Sequence, residues 1–102
     1  MVVRQINDHC LARGLTNLGE FAIRSLMGKH MIIDPDHLSV AARKGVMSLL
    51  EAKRYSGVVS SHSWSSPDVN PRIYKLGGVI TPYAGDSTSF VKKWRQISPL
   101  AN

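Results

Sequence analysis

The sequence predicts an α/β fold, and within that class a partial (β/α)8 barrel of about three βα units with parallel strands. Two observations carry the class. Short apolar runs near 31–34, 57–61 and 78–81 lack polar alternation, as strands buried on both faces do. Stretches of helical periodicity separate them, giving the order α-β-α-β-α-β-α expected of a parallel sheet. Length carries the narrower reading. A whole barrel takes about 250 residues, roughly 30 per βα unit, and a chain of 102 residues holds about three such units. A small doubly wound three-layer domain fits the same order but leaves both edges of a three-stranded sheet open.

Each element has its own signal. Residues 1–15 are mixed and end in Arg13-Gly14-Leu15. A helix begins at Thr16-Asn17, where Asn17 can cap and Glu20 stands three residues on, as in a capping box. Leu18, Phe21, Ala22 and Leu26 supply its apolar face. Gly28 weakens the end, and Lys29 and His30 suit the negative pole of the helix. Met31-Ile32-Ile33-Asp34 is the first strand, with Pro35 holding Asp34 extended. A second helix runs from Ser39 to about Arg54. Ala42, Val46, Leu49 and Leu50 face inward, while Arg43, Lys44 and Glu51 face outward. The second strand spans 57–61. A loop holding Trp64 and a short helix over 67–76 follow. Gly77-Gly78 then turns the chain closely into the strand Val79-Ile80-Thr81. Residues 87–97 form the last helix, with Phe90, Val91 and Trp94 apolar.

Composition narrows the class of protein. Hydrophobic residues at 43% and charged residues at 20% indicate a globular chain. No apolar run approaches the ~20 residues of a membrane span, so no transmembrane segment is expected. The one cysteine, Cys10, makes no internal disulfide and reads as a packing residue. No signal segment is recognisable, and the compartment stays unknown. The net charge of +6 raises nucleic acid as a partner. The basic residues nevertheless fall singly or in pairs (Arg43-Lys44, Lys53-Arg54, Lys92-Lys93), with no recognition motif, and read as a solvated face. No nucleic-acid partner is expected.

Polar residues gather where each strand ends: Asp34, Asp36 and His37 after the first, Ser60, Ser61, His62 and Ser63 at the second, and Thr81 and Tyr83 at the third. Active sites of barrels and open α/β sheets lie at that end. His37 and His62, on neighbouring strand ends, come within reach of one metal ion, and neutral imidazole suits zinc. Strand-end histidines also serve simply as hydrogen-bond donors to loops. The serines around His62 lack a G-x-S-x-G elbow, so serine hydrolysis is not indicated. Gly77-Gly78 lacks the spacing of a phosphate-binding loop. Trp64 is either a pocket wall or packing.

Four segments carry a resemblance: Arg13-Gly14-Leu15-Thr16-Asn17-Leu18-Gly19, Met31 to Ser39 with its Asp34-Pro35-Asp36-His37, Val58-Val59-Ser60-Ser61-His62-Ser63, and Gly77-Gly78-Val79-Ile80. In that order they resemble consecutive blocks of the membrane (renal-type) dipeptidases, a branch of the metal-dependent amidohydrolase superfamily. The resemblance implies a fragment of a TIM-barrel hydrolase carrying strands five to seven. It implies two zinc ions in the intact parent, with His37 and His62 as metal ligands. Asp34 corresponds to the first acid of the ligand motif, and Arg72 to an arginine that contacts the substrate carboxylate. Asp34 or Asp36 would orient His37 from behind, and Trp64 would line the substrate pocket. The substrate would be a small peptide or amide, cleaved by metal-activated water.

The family's early His-x-Asp pair, bridging Glu and late Asp have no counterpart in these 102 residues. The expectation is therefore that the remainder of the barrel is missing, that no catalytic residue lies within the chain, and that the chain alone is inactive. The rival expectation is a small non-catalytic three-layer α/β binding module with a basic surface.

Overall fold

The computed structural model describes residues 13–62, 69–82 and 85–97. The order is α1 (Asn17–Gly28), α2 (Val40–Ala52), β1 (Val59–Ser60), α3 (Asn70–Lys75), β2 (Val79–Ile80) and α4 (Ser87–Ile97). The strands are shorter than the apolar runs suggest. β1 and β2 pair in parallel, Val59 with Val79 and Ser60 with Ile80. The run at 31–34 contributes one parallel bridge, Ile33 to Val58. Its two bonds, Ile33 N–H to Gly57 O at 2.8 Å and Val59 N–H to Ile33 O at 3.0 Å, lie on the side of β1 opposite β2. β1 is thus central, and no barrel closes among the described residues.

Residues of the three extended segments alternate between two faces. Ile33, Val58, Ser60 and Ile80 are buried on one. On the other, Ile32 is 72% exposed and Val79 57%. One core explains the difference. Met27 of α1, Val46, Met47 and Leu50 of α2, Val69 and Ile73 beside and within α3, and Ile97 of α4 all join the buried sheet face in a single cluster. α1 packs on α2, and Arg72 of α3 meets Glu51 of α2 at 2.7 Å. Among the described residues, the helices cover one side of the sheet and leave Ile32 and Val79 exposed on the other.

The first three helices end in the same way. Met31 N–H reaches Leu26 O and His30 N–H reaches Met27 O. Tyr55 to Leu50 and Arg54 to Glu51 repeat the pair after α2, as do Gly78 to Ile73 and Gly77 to Tyr74 after α3. This is the Schellman pattern, which needs one left-handed residue. His30, Arg54 and Gly77 occupy it at φ 58°, 50° and 86°. Each cap delivers the chain into an extended segment within a few residues. Gly78 lets the sheet close, because a Cβ there would sit 2.5 Å from Val58 O.

Several local expectations are corrected. Thr16, not Asn17, caps α1, its side chain accepting from Gly19 N–H at 3.0 Å. Glu20 therefore falls one place beyond the capping-box position and pairs with Arg24 instead. Leu18 and Phe21 are exposed, and α1 buries Met27 with Ile23 and Leu26 beside it. Leu18 and Phe21 lie on the stripe turned away from the core. Arg43 is buried rather than outward, on the stripe it shares with Val46, Met47 and Leu50. Ser39 caps α2 through Ala42 N–H at 3.1 Å. α3 covers 70–75 only. The last helix spans 87–97 as expected, with Asp86 accepting from Ser89 N–H at its start.

Two measurements check this account. A left-handed residue costs a side-chain-bearing amino acid about 1 kcal/mol relative to glycine. Arg54→Gly should raise the denaturation free energy by about 1 kcal/mol, and Gly77→Ala should lower it by a similar amount. The Arg72 guanidinium holds the Glu51 carboxyl below its ordinary value of 4.5. Glu51 therefore contributes stability that is present above that value and is lost as pH falls through the depressed one. Glu51→Gln should flatten the acid limb of a stability-against-pH curve.

Candidate functional site

The predicted strand ends do converge. His37 and His62 lie with ring centroids 4.7 Å apart, at an interplanar angle of 70°. Both rings are exposed. Two imidazoles on one tetrahedral zinc, at Zn–N of ~2.0–2.1 Å, place their centroids about 5 Å apart.

His37 is placed by a tight turn. Leu38 N–H bonds Pro35 O at 3.3 Å, and φ at His37 is 72°. That is the third position of a type II turn, usually glycine or asparagine. Asp34 Oδ1 accepts from Asp36 N–H at 3.1 Å and stiffens the entry to the turn.

His62 is placed by Asp36. This carboxylate is buried. It accepts from His62 N–H at 2.8 Å and from the Ser60 hydroxyl, which lies 3.0 Å from both of its oxygens. The acid after the first strand thereby ties down the end of the second. Ser61 completes the arrangement. Its hydroxyl donates to Asp34 Oδ2, and its oxygen lies 2.7 Å from His62 Nδ1. Thr81, after β2, bonds the Ser60 carbonyl through N–H at 2.9 Å and through its hydroxyl at 3.0 Å. Asp34, Asp36, His37 and His62 thus share one end of the parallel sheet.

Arg72 has other partners. It forks onto Glu51, Nε at 2.8 Å and Nη2 at 2.7 Å, and also meets the Ser48 hydroxyl at 3.4 Å. Here it joins α3 to α2. Trp64, Ser63 and Tyr83 lie outside the described residues, as do His9 and Cys10. Ser60 and Ser61 are hydrogen-bond intermediaries between the two strand ends. Two acids after one strand facing two serines before a histidine on the next was the signal available for them.

Among the described residues, no group of three or more His, Cys, Asp and Glu side chains could hold a metal ion. The pair His37 and His62 supplies two nitrogen donors, suited to zinc in kind but short of the three protein ligands of a catalytic site. No described helix is long and apolar enough to cross a membrane. No protein-family model, curated protein or solved structure matches the chain.

The buried carboxylate gives a prediction. Asp36→Ala leaves the Ser60 hydroxyl and the His62 N–H without their acceptor, and should cost about 1–3 kcal/mol of stability. Loss of the nuclear Overhauser contact between the His37 and His62 rings should accompany it. An unchanged denaturation midpoint with an intact ring contact would show that Asp36 holds neither strand end.

Proposed function

We propose that the chain is part of a zinc-dependent hydrolase barrel of dipeptidase-like type, cleaving an amide or peptide bond, with His37 and His62 as two of its metal ligands. The carrying observation is the imidazole pair, 4.7 Å between centroids, at one end of a parallel sheet. The bare apolar face at Ile32 and Val79 supports the barrel part of the reading. In a closed barrel that face is the interior, packed by branched side chains, and helices occupy only the outside. A self-contained three-layer module would instead cover both faces.

A bound zinc would supply an activated water and polarise the scissile carbonyl. The chain's own part is to hold two imidazoles at fixed positions. Asp36 sets where His62 leaves the strand, and the turn at Pro35–Leu38 sets where His37 leaves. The remaining ligands and the attacking groups belong to the other strands of the barrel. Arg72 stays with Glu51 in the joint between α3 and α2 and takes no part in this reading.

The test is zinc titration of the 102-residue chain by calorimetry. One weak site is expected, because water fills the positions that two imidazoles leave. His62→Ala and His37→Gly should each abolish it, glycine being chosen because it suits the positive φ at 37. Amidase turnover should be absent throughout. Equal zinc binding by the wild type and both variants would overturn the ligand assignment.

A further inference from the structure

His62 has two ring nitrogens, and the hydrogen-bond chain behind it distinguishes them. An ionised carboxylate only accepts, so the Asp34 Oδ2 contact uses the single hydrogen of the Ser61 hydroxyl. With that hydrogen committed, the Ser61 oxygen can only accept at its second contact, His62 Nδ1, 2.7 Å away. Nδ1 must then carry a proton. In the neutral ring, Nε2 is left with its lone pair. We propose that Ser61 is a positioning residue which, with Asp34, holds His62 as the Nδ1–H tautomer and makes Nε2 its metal-binding atom.

The proposal deepens the zinc reading and rests on it only for the second half. The first half concerns the protein with nothing bound. The relay spans the gap between the strands: Asp34 ends the first extended segment, and Ser61 and His62 follow β1. It differs from the expected arrangement, in which the acids orient His37. Here Asp34 acts on His62, at one remove, while Asp36 fixes the same residue through its backbone N–H. Backbone and ring of His62 are thus held by two different acids. The separation matters physically. The Asp36 bond determines where the ring can be, and the Asp34–Ser61 relay determines which nitrogen is available once it is there. A carboxylate that orients a ligand histidine through its other ring nitrogen also raises the basicity of the ligand.

The experiment is nitrogen-15 NMR of the full chain without metal, at about pH 8.5, well above the ordinary histidine pKa of ~6.5. The His62 ring signals are assigned by their loss in His62→Ala. The expected result is a protonated-type shift at Nδ1 and an unprotonated-type shift at Nε2. Ser61→Ala should switch the dominant tautomer to Nε2–H, and Ser61→Thr should restore the wild-type pattern. Should Ser61→Ala fail to fold, Asp34→Asn decides: its amide can donate to Ser61, which frees the Ser61 hydrogen for Nδ1 and again favours Nε2–H. A wild-type ring that is mainly Nε2–H, or a tautomer indifferent to Ser61→Ala and Asp34→Asn, overturns the proposal. Zinc chloride is then added. Movement of the Nε2 signal with Nδ1–H retained supports the assignment, and movement of Nδ1 instead overturns it. If zinc moves neither nitrogen while the tautomer is as expected, the zinc function fails and the role of Ser61 in fixing the ring stands.

Discussion

The site depends on one buried carboxylate. Asp36 is 6% exposed, and a polar group at that depth is tolerated only when it is well hydrogen-bonded. It finds the Ser60 hydroxyl and the His62 N–H, both at the end of β1. The pairing it reinforces is slight. A single bridge joins Ile33 to Val58, and β1 and β2 share only two residue pairs. A ladder that short fixes register but gives its ends little rigidity. Asp36 adds a cross-link at the end where the imidazoles are. At the other end the Tyr55 hydroxyl donates to Met31 O at 2.6 Å. The first extended segment is therefore held at both ends by side chains and in the middle by one backbone bridge.

From that frame the rest follows as repetition. Three helices, each closed by the same Schellman pair, feed three extended segments running the same way. The repeat places every segment's start near a helix C-terminus. It also sends the helices to one side of the sheet, where Leu50, Val46, Met47 and Ile73 are fully buried. The uncovered side keeps Ile32 and Val79 in the open. Asp34 and Ser61 lie on that same uncovered face by alternation, so the relay to His62 sits above the apolar surface rather than above the helical core. In the barrel proposed above, that face would be the interior and this end the C-terminal mouth.

Much of this was legible in the sequence, and each failure has a physical cause. Apolar runs bounded by glycine and proline marked the three extended segments, and polar residues after them marked the end that matters. His37 and His62 could be paired because consecutive parallel strands end on one edge. Helix faces were harder. In α1 the apolar residues outnumber those one core can bury, so Leu18 and Phe21 compete on paper with Ile23 and Met27, and only the tertiary packing decides. Arg43 fails differently: its charge argues for the outside, while its position in the stripe with Val46, Met47 and Leu50 argues for the inside, and position prevails. The relay through Ser61 was less legible, because the acids and serines face one another only once the two strand ends lie side by side. Its partner Asp34 is distant in sequence, and only the fold brings the hydroxyl's hydrogen and the acid together.

Backbone geometry bears on how far the histidine pair should be read as functional. A positive φ in a residue other than glycine costs energy and invites a functional explanation. His37 has one, at 72°, but so do His30 and Arg54. Those two occupy helix-terminal positions that require a left-handed residue whatever its side chain, so the torsion alone does not single out His37. What does is the conjunction. The turn around His37 is fastened on both sides, by Asp34 to Asp36 N–H and by Pro35 O to Leu38 N–H. The ring it projects meets a second ring whose backbone and Nδ1 are each fastened by an independent bond. Neither imidazole is buried, so neither ring contributes to the core that stabilises the fold. Both residues are thus fastened from several directions by bonds that add nothing to that core, which is the feature the zinc proposal rests on.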